Sequence, residues 1–280
     1  MEQAHKVALV TGASSGFGLL TSIALAKQGY HVIAAMRNPD KRGLLLEQAG
    51  QAGVAGRLEV ARMDVTDHET IHAVVEGMVR KHGRIDALIN NAGYAAGGFV
   101  EDVPMDVWRA QLETNVFGVI AATKAVLPQM RRQGFGYIVN VSSVSGLMAF
   151  PGYAPYSTSK FAVEGFSEAL RLEMKPFGVQ VVLVEPGAYR TDIWHKGFES
   201  ISAPEASPYR VLLKKVLDYS RQTSETAPDP GEVARRIAAI LGSSRPKLRY
   251  ISGKGVKLAV WGRTLLPWSW YEAVVLRFLK

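Results

Sequence analysis

Tyr156 and Lys160 stand four residues apart, a spacing that sets two side chains on the same face of a helix. A free phenol titrates at about 10. A nearby ammonium favours the phenolate and lowers that value, which suits proton transfer near neutral pH. Ser143 lies just past a predicted strand end, thirteen residues before Tyr156. Its hydroxyl can hold the oxygen of a reacting molecule. Tyr-x-x-x-Lys is a short pattern that also arises by chance, so its meaning depends on the elements that position it.

Those elements alternate. The β-branched runs Lys6–Thr11, Tyr30–Met36, Leu58–Met63, Ala87–Asn90, Tyr137–Ser142 and Val179–Glu185 read as strands, and Leu248–Ser252 as one more. Most are apolar on both faces, as in parallel strands covered by helices on either side. Helical patterns occupy Gly16–Gln28, Asp40–Ala52, Asp67–His82, Pro104–Gln133, Tyr153–Phe177 and Asp229–Leu241. The alternation predicts a doubly wound α/β fold, a parallel sheet of about seven strands with helices on both faces. Gly118 and Pro128 predict a kink or early end in the long segment that contains them. A single such domain is expected over 1–280, with a substrate lid over 188–228 and a C-terminal extension over 254–280.

The first strand runs into Thr11-Gly12-Ala13-Ser14-Ser15-Gly16-Phe17-Gly18. Strand, glycines and helix in that order make a dinucleotide-binding turn of Rossmann type. Gly12 permits the turn, Gly16 lets backbone approach a pyrophosphate, and Gly18 lets the helix pack closely. The helix N-terminus offers free N–H groups and positive dipole to phosphates. The spacing is G-x-x-x-G-x-G rather than the commoner G-x-G-x-x-G. An NAD site usually has an acid at the end of the second strand. Here that strand ends Ala34-Ala35-Met36-Arg37. A carboxylate would repel a 2′-phosphate, whereas Arg37 can pair with one, so the expected cofactor is NADP(H) rather than NAD(H).

Further groups fall at strand ends: Asp64, Asn90-Asn91-Ala92-Gly93 and Pro186-Gly187, with Thr191 four residues on, while Asn115 lies in the long helix. In this order and spacing the motifs Thr11-Gly-x-x-x-Gly-x-Gly18, Asp64, Asn90-Asn-Ala-Gly93, Asn115, Ser143, Tyr156-x-x-x-Lys160 and Pro186-Gly187 are highly specific together. The chain resembles the single-domain branch of the short-chain dehydrogenase/reductase family. The resemblance covers about residues 5 to 192 strongly and Pro230 to Gly253 weakly.

The resemblance implies an oxidoreductase acting on a carbonyl or CH–OH group, with Asn115, Ser143, Tyr156 and Lys160 as its catalytic set. Tyr156 would be the acid/base, and Lys160 would lower its pKa and bind the nicotinamide ribose. Ser143 would orient the substrate carbonyl. Asn115 would keep a helix distortion that holds a relay water. The expected cofactor-binding set is Gly12, Ser14, Ser15, Gly16, Phe17, Gly18, Arg37, Asp64, Val65, Asn91, Ala92, Gly93, Tyr156, Lys160, Pro186, Gly187 and Thr191. Of these, Asp64 and Val65 would contact the adenine, and Pro186, Gly187 and Thr191 the nicotinamide end. Ser142 adjoins Ser143, and the thirteen-residue gap to Tyr156 selects Ser143. A non-catalytic NADP(H)-binding regulator is the alternative, and the intact Asn115, Ser143, Tyr156 and Lys160 favour the enzyme over it.

Composition narrows the field. The 280 residues are 48% hydrophobic and 21% charged, and cysteine is absent, which excludes disulfides and thiolate chemistry. That is compatible with the cytoplasm. Lys and Arg are scattered, so the net charge of +8 reads as a solvated surface suited to a polyanionic cofactor and not as a nucleic-acid site. His68-Glu69-Thr70-Ile71-His72 matches a zinc-protease pattern, but Asp67 and Glu69 fit a helix start, and no metal is expected. Asn140-Val141-Ser142 has the form of a glycosylation sequon within a strand expected to be buried.

The substrate is expected to meet Phe99, Met148, Phe150, Tyr153, Tyr189, Ile193, Trp194, Phe198, Ile201, Tyr209, Leu212 and Leu213. Such a wall suits a lipophilic ketone, aldehyde or alcohol of steroid, retinoid or long-chain type. Trp261–Tyr271 and Val274–Lys280 mix Trp, Tyr, Lys and Arg with Leu and Val. That mixture fits a subunit interface of a homodimer or homotetramer, a substrate lid, or peripheral membrane contact.

Overall fold

The computed structural model describes residues 5–191 and 204–279. Among them seven parallel strands pair in the order β3-β2-β1-β4-β5-β6-β7. The strands are β1 (Val7–Thr11), β2 (His31–Met36), β3 (Leu58–Arg62), β4 (Ala87–Asn90), β5 (Gly136–Val141), β6 (Val179–Pro186) and β7 (Arg249–Ser252). Helices α1 (Gly16–Lys27), α2 (Gly43–Gln51), α3 (His68–His82), α4 (Met105–Leu112), α5 (Gly118–Gln133) and α6 (Ala154–Met174) alternate with the first six strands. Then come α7 (Arg210–Glu225), α8 (Gly231–Leu241), α9 (Val256–Leu265) and α10 (Trp268–Leu279).

Period-2 alternation explains the two layers. Ala8, Val10, Val32, Ala34 and Ile89 face one side of the sheet, where Leu19 and Ile23 of α1, Leu45 of α2 and Val233 and Ile237 of α8 cover them. Val7, Leu9, Ile33, Ala35 and Leu88 face the other, against Ile71 of α3, Val126 of α5 and Leu170 of α6. With both faces buried, β1, β2 and β4 are apolar nearly throughout, while the edge strands β3 and β7 carry charged residues.

The long segment differs from expectation. It neither ends nor breaks at Gly118 or Pro128, and α5 continues through Pro128 to Gln133. Gly118 is needed for packing instead, since a Cβ there would come within 2.8 Å of Val65. The irregularity is a π-turn over Glu113–Phe117, between α4 and α5. Asp67 caps α3 by accepting from the Glu69 and Thr70 amides, so the His-Glu pattern is the first turn of a helix. Asn140 is wholly buried and donates to Ser167 Oγ at 2.8 Å.

The strand order reverses between β1 and β4. In an open parallel sheet the cleft forms at that point, beyond the carboxyl ends of the strands.

Candidate active site

The glycine loop leaves β1 at this switch point. Gly12 and Gly16 have φ of 67° and 57°, in the left-handed region. Gly18 is required for a different reason: a Cβ there would lie 2.4 Å from both Gly12 O and Asn91 Nδ2. Asn91 closes the loop from the end of β4. Its Nδ2 donates to Thr11 O at 2.9 Å and to Gly12 O at 3.2 Å. Thr11 Oγ1 accepts from the amides of Asn91 and Ala92, both at 3.0 Å. Asn91 therefore supports the cradle through the backbone of the loop. Ser15 begins α1 in extended conformation without a side-chain cap, and the first turn of α1 holds no acid. These unused donors and the open side of Gly16 fit a pyrophosphate.

The rim of the cleft follows. Arg37 is exposed just past β2, and the next turn is fixed by Asn38, which caps the Asp40 amide at 2.9 Å. Asp64 Oδ1 accepts from the Thr66 amide and hydroxyl, which holds the turn after β3. Val65 is buried against Gly118. After β6, the Gly187 amide donates to Ser252 O at 2.9 Å. Thr191 stands across from the glycine loop, its Cβ 3.7 Å from where a Cβ on Gly16 would be. Phe17 turns its ring inward, edge-on to Tyr189 with centroids 5.7 Å apart. Only the backbone of Phe17 is left for the cradle.

The reacting groups come from β5 and α6. Ser143 begins a 3-10 turn directly after β5, accepting from the Ser145 amide at 3.1 Å. The same hydroxyl lies close enough to the Tyr156 phenol to act on its acidity. Ser142 Oγ is buried without a hydrogen-bond partner among the described residues, on the Gly146 and Glu164 side of the turn. Lys160 Nζ is 5.6 Å from the centre of the Tyr156 ring and donates to Val141 O at 2.9 Å. Tyr156 departs from the expected lowering. Burial pushes the phenol up, opposed by the nearby Ser143 hydroxyl. Burial also lowers Lys160 to about 8, opposed by Glu164. Both shifts have one cause: a poorly solvated pocket favours the neutral form of each group.

Asn115 joins the halves of the site. It lies in the π-turn, and its Nδ2 donates to Tyr94 O at 2.9 Å and Ser159 Oγ at 3.1 Å. Its Oδ1 accepts from the Tyr94 amide at 3.1 Å. Ser159 Oγ in turn donates to Tyr156 O. A Cβ on Gly93 would sit 3.0 Å from Asn115 Oδ1, so a side chain there would crowd the Asn115 contact to Tyr94. Sequence reading missed Ser159, and it missed Gln111, which ties Ala96 and Tyr94 to α4. A small polar residue inside the Tyr-x-x-x-Lys turn was the available signal for Ser159. It also missed the ion cluster behind Lys160, where Arg249 reaches Glu164, Glu168 and Glu185 at 2.7 to 3.0 Å. Nothing in linear spacing links β7 to α6.

The expected substrate wall is only partly assembled. Phe99 and Tyr209 stack at 4.8 Å, Tyr153 hydrogen-bonds Ser220, and Tyr209 hydrogen-bonds Glu101. Tyr189 belongs to the core and not to the wall, being 1% exposed beneath the glycine loop. Met148 and Leu213 are buried packing groups. Ile193, Trp194, Phe198 and Ile201 lie outside the described residues. Away from the cleft, His31, Glu59 and His82 gather within ligating distance of one another, but Lys81 already pairs with the Glu59 carboxylate.

A doubly wound sheet with a glycine cradle and a Ser–Tyr–Lys group at its carboxyl edge defines a dinucleotide-dependent oxidoreductase class. Residues 6–201 match the family model for short chain dehydrogenase, and the chain belongs to that family. It is 47% identical over 274 residues to the uncharacterized oxidoreductase YusZ of Bacillus subtilis, covering 96% of this chain and 97% of that one. It is 36% identical to retinol dehydrogenase 8 of Bos taurus, covering 89% and 82%. A short-chain dehydrogenase from Streptomyces avermitilis superposes with a TM-score of 0.82 at 34% identity, covering 99% and 97%. Two further structures carry cofactors. A family member from Burkholderia phymatum in complex with NAD has a TM-score of 0.81 at 25% identity, covering 99% and 96%. An actinorhodin polyketide ketoreductase with NADPH has 0.76 at 32%, covering 90% and 97%. A nicotinamide cofactor is thus common to the fold. No helix among the described residues is long and apolar enough to cross a membrane.

Proposed function

We propose that the protein is an NADP(H)-dependent oxidoreductase acting on a lipophilic ketone, aldehyde or secondary alcohol. The observation that carries this is Lys160 Nζ 5.6 Å from the Tyr156 ring in a buried pocket that Ser143 also lines, at the edge of the glycine cradle. The bound nicotinamide would supply or accept a hydride at the substrate carbon. In the reducing direction Ser143 and Tyr156 hold the carbonyl oxygen, and Tyr156 gives it the phenolic proton. Neutral Tyr156 is the form burial favours, which suits an acid. Lys160 stands beside the ring to stabilise the phenolate left behind, and Asn115 fixes the turn of α6 that carries both.

Arg37, exposed where an NAD site usually has an acid, supports NADP(H) over NAD(H). Gly12, Ser14, Ser15, Gly16 and Gly18 would hold the pyrophosphate, Asp64 and Val65 the adenine, and Pro186, Gly187 and Thr191 the nicotinamide end. Asn91, Ala92 and Gly93 back the cleft. The aromatic pair Phe99–Tyr209 and the similarity to a retinol dehydrogenase support a lipophilic substrate under a lid drawn from 188–228. Exposed Phe161 and Leu172 on α6 support self-association as a homodimer or homotetramer, and a cysteine-free chain suits the cytoplasm.

The test is oxidation of NADPH and NADH by purified protein against carbonyls ranging from small and polar to steroid-sized. Faster turnover with NADPH and with bulky apolar carbonyls is expected. Tight cofactor binding with no turnover on any of them would overturn the enzyme reading in favour of a regulator.

A further inference from the structure

Lys and Arg are spread along the chain, but net charge is not. Residues 245–280 hold eight of the 33 Lys and Arg and one of the 25 Asp and Glu, so +7 of the net charge of +8 lies there. Among the described residues the same stretch carries the largest run of exposed apolar side chains. No residue of α9 is buried. Leu258, Trp261 and Leu265, at i, i+3 and i+7, are 75%, 65% and 77% exposed. In α10, Trp270 and Val274, at i and i+4, are 64% and 55% exposed. Arg263 fastens the two helices across Pro267, with its guanidinium 4.8 Å from the Trp268 ring and 5.5 Å from that of Tyr271. Lys254, Lys257 and Arg277 are exposed around these apolar faces, as are Arg245 and Lys247 before β7.

We propose that α9 and α10 dock the protein on the surface of an anionic lipid bilayer. Helices of 10 and 12 residues are too short to span one, so they lie along it. Trp and Tyr favour the boundary between headgroups and acyl chains, and a rim of Lys and Arg meets the phosphates. Charge decides against a second copy as the occupant. Self-docking would bring one net-positive surface, with Arg245, Lys247, Lys254, Lys257, Arg263 and Arg277 against only Glu272, onto another, whereas an anionic bilayer neutralises it.

The helices are fastened beside the cleft. Tyr271 Oη donates to Ala149 O at 3.1 Å, in the segment between Ser143 and Tyr156, and α10 packs against α7 of the lid region. Docking therefore turns the substrate side of the cleft toward the bilayer. That consequence alone rests on the proposed lipophilic substrate.

The test is co-sedimentation of the full chain with phosphatidylcholine vesicles, and with vesicles in which a third of the lipid is phosphatidylglycerol. Partitioning about tenfold or more greater on the anionic vesicles is expected, falling at high salt, with a blue shift of Trp emission. Trp261→Glu with Trp270→Glu should abolish it and leave NADPH binding and melting unchanged. Lys254→Glu with Lys257→Glu should remove the preference for anionic lipid. Equal partitioning on both vesicles, or none on either, would overturn the proposal. So would sedimentation velocity showing that the tryptophan variant has dissociated an oligomer. NADPH binding and turnover are measured separately on the same variants, so a wrong reading of the cofactor or substrate shows there and leaves the vesicle result standing.

Discussion

Around the glycine loop, polar groups close on backbone a short distance away. Asn91 and Thr11 satisfy one another's main chain, and Gly12, Gly18 and Gly93 exist so that neighbouring atoms can approach. Around the substrate side the contacts are between side chains brought from distant segments: Phe99 with Tyr209, Asp102 with Ser207, Tyr153 with Ser220. A cradle made of backbone constrains residue type tightly, because few residues tolerate a positive φ or a missing Cβ. A wall made of side-chain pairs constrains mainly bulk and polarity, which many sequences satisfy. The cofactor side should therefore be intolerant and chemically uniform, and the substrate side tolerant and specific to its ligand.

The largest expected effect lies where the two sides meet. Tyr156→Phe should lower kcat by about 10²–10⁴-fold, with NADPH affinity within about twofold by fluorescence titration. Comparable turnover in the variant would remove Tyr156 from its role. Next, Arg37→Ala should weaken NADPH about 10- to 100-fold and NADH hardly at all, as expected for loss of a charge-assisted contact. An equal loss for both cofactors would show that Arg37 does not read a 2′-phosphate.

Asn91→Ala leaves the loop carbonyls unpaired and should cost about 2 kcal/mol of stability. It should also weaken NADPH and NADH alike, without changing which carbonyl is preferred. A changed substrate preference would erase the distinction between the two sides.

Glu185 gives an effect of similar size with a sign fixed by pH. It is fully buried at the end of β6, and its pKa is raised to about 8 by burial and by Glu164, against the pull of Arg249. A carboxyl raised in the folded state stabilises fully below the ordinary carboxylate range. That contribution is lost as pH rises through about 8. Wild-type stability should fall between pH 5 and pH 8 more than that of Glu185→Gln, by about 3 kcal/mol, read from denaturant unfolding at each pH. An equal change in both proteins would show that Glu185 stays ionised beside Arg249. The smallest effect is expected from Phe99→Ala, which removes a stacked pair of about 1 kcal/mol. It should raise KM for a bulky carbonyl about fivefold and leave cofactor affinity intact.

Sequence periodicity located the sheet and the helices on both its faces, because a strand buried on two sides must be apolar throughout. The glycine spacing and the Tyr156–Lys160 pair were visible as residue types at fixed intervals within one turn, and Asn115 and Ser143 through their order and spacing along the chain. What lay beyond sequence was whatever depends on environment or on long-range contact. Tyr156 is shifted up and not down, because burial is a property of the assembled pocket. Tyr189, an aromatic beside the cleft in sequence, is in the core because Phe17 and α8 close over it. Arg249 joins Glu164, Glu168 and Glu185 only once β7 has paired with β6. Linear order specifies local backbone needs, and it is folding that decides which distant side chains share a dielectric and a charge.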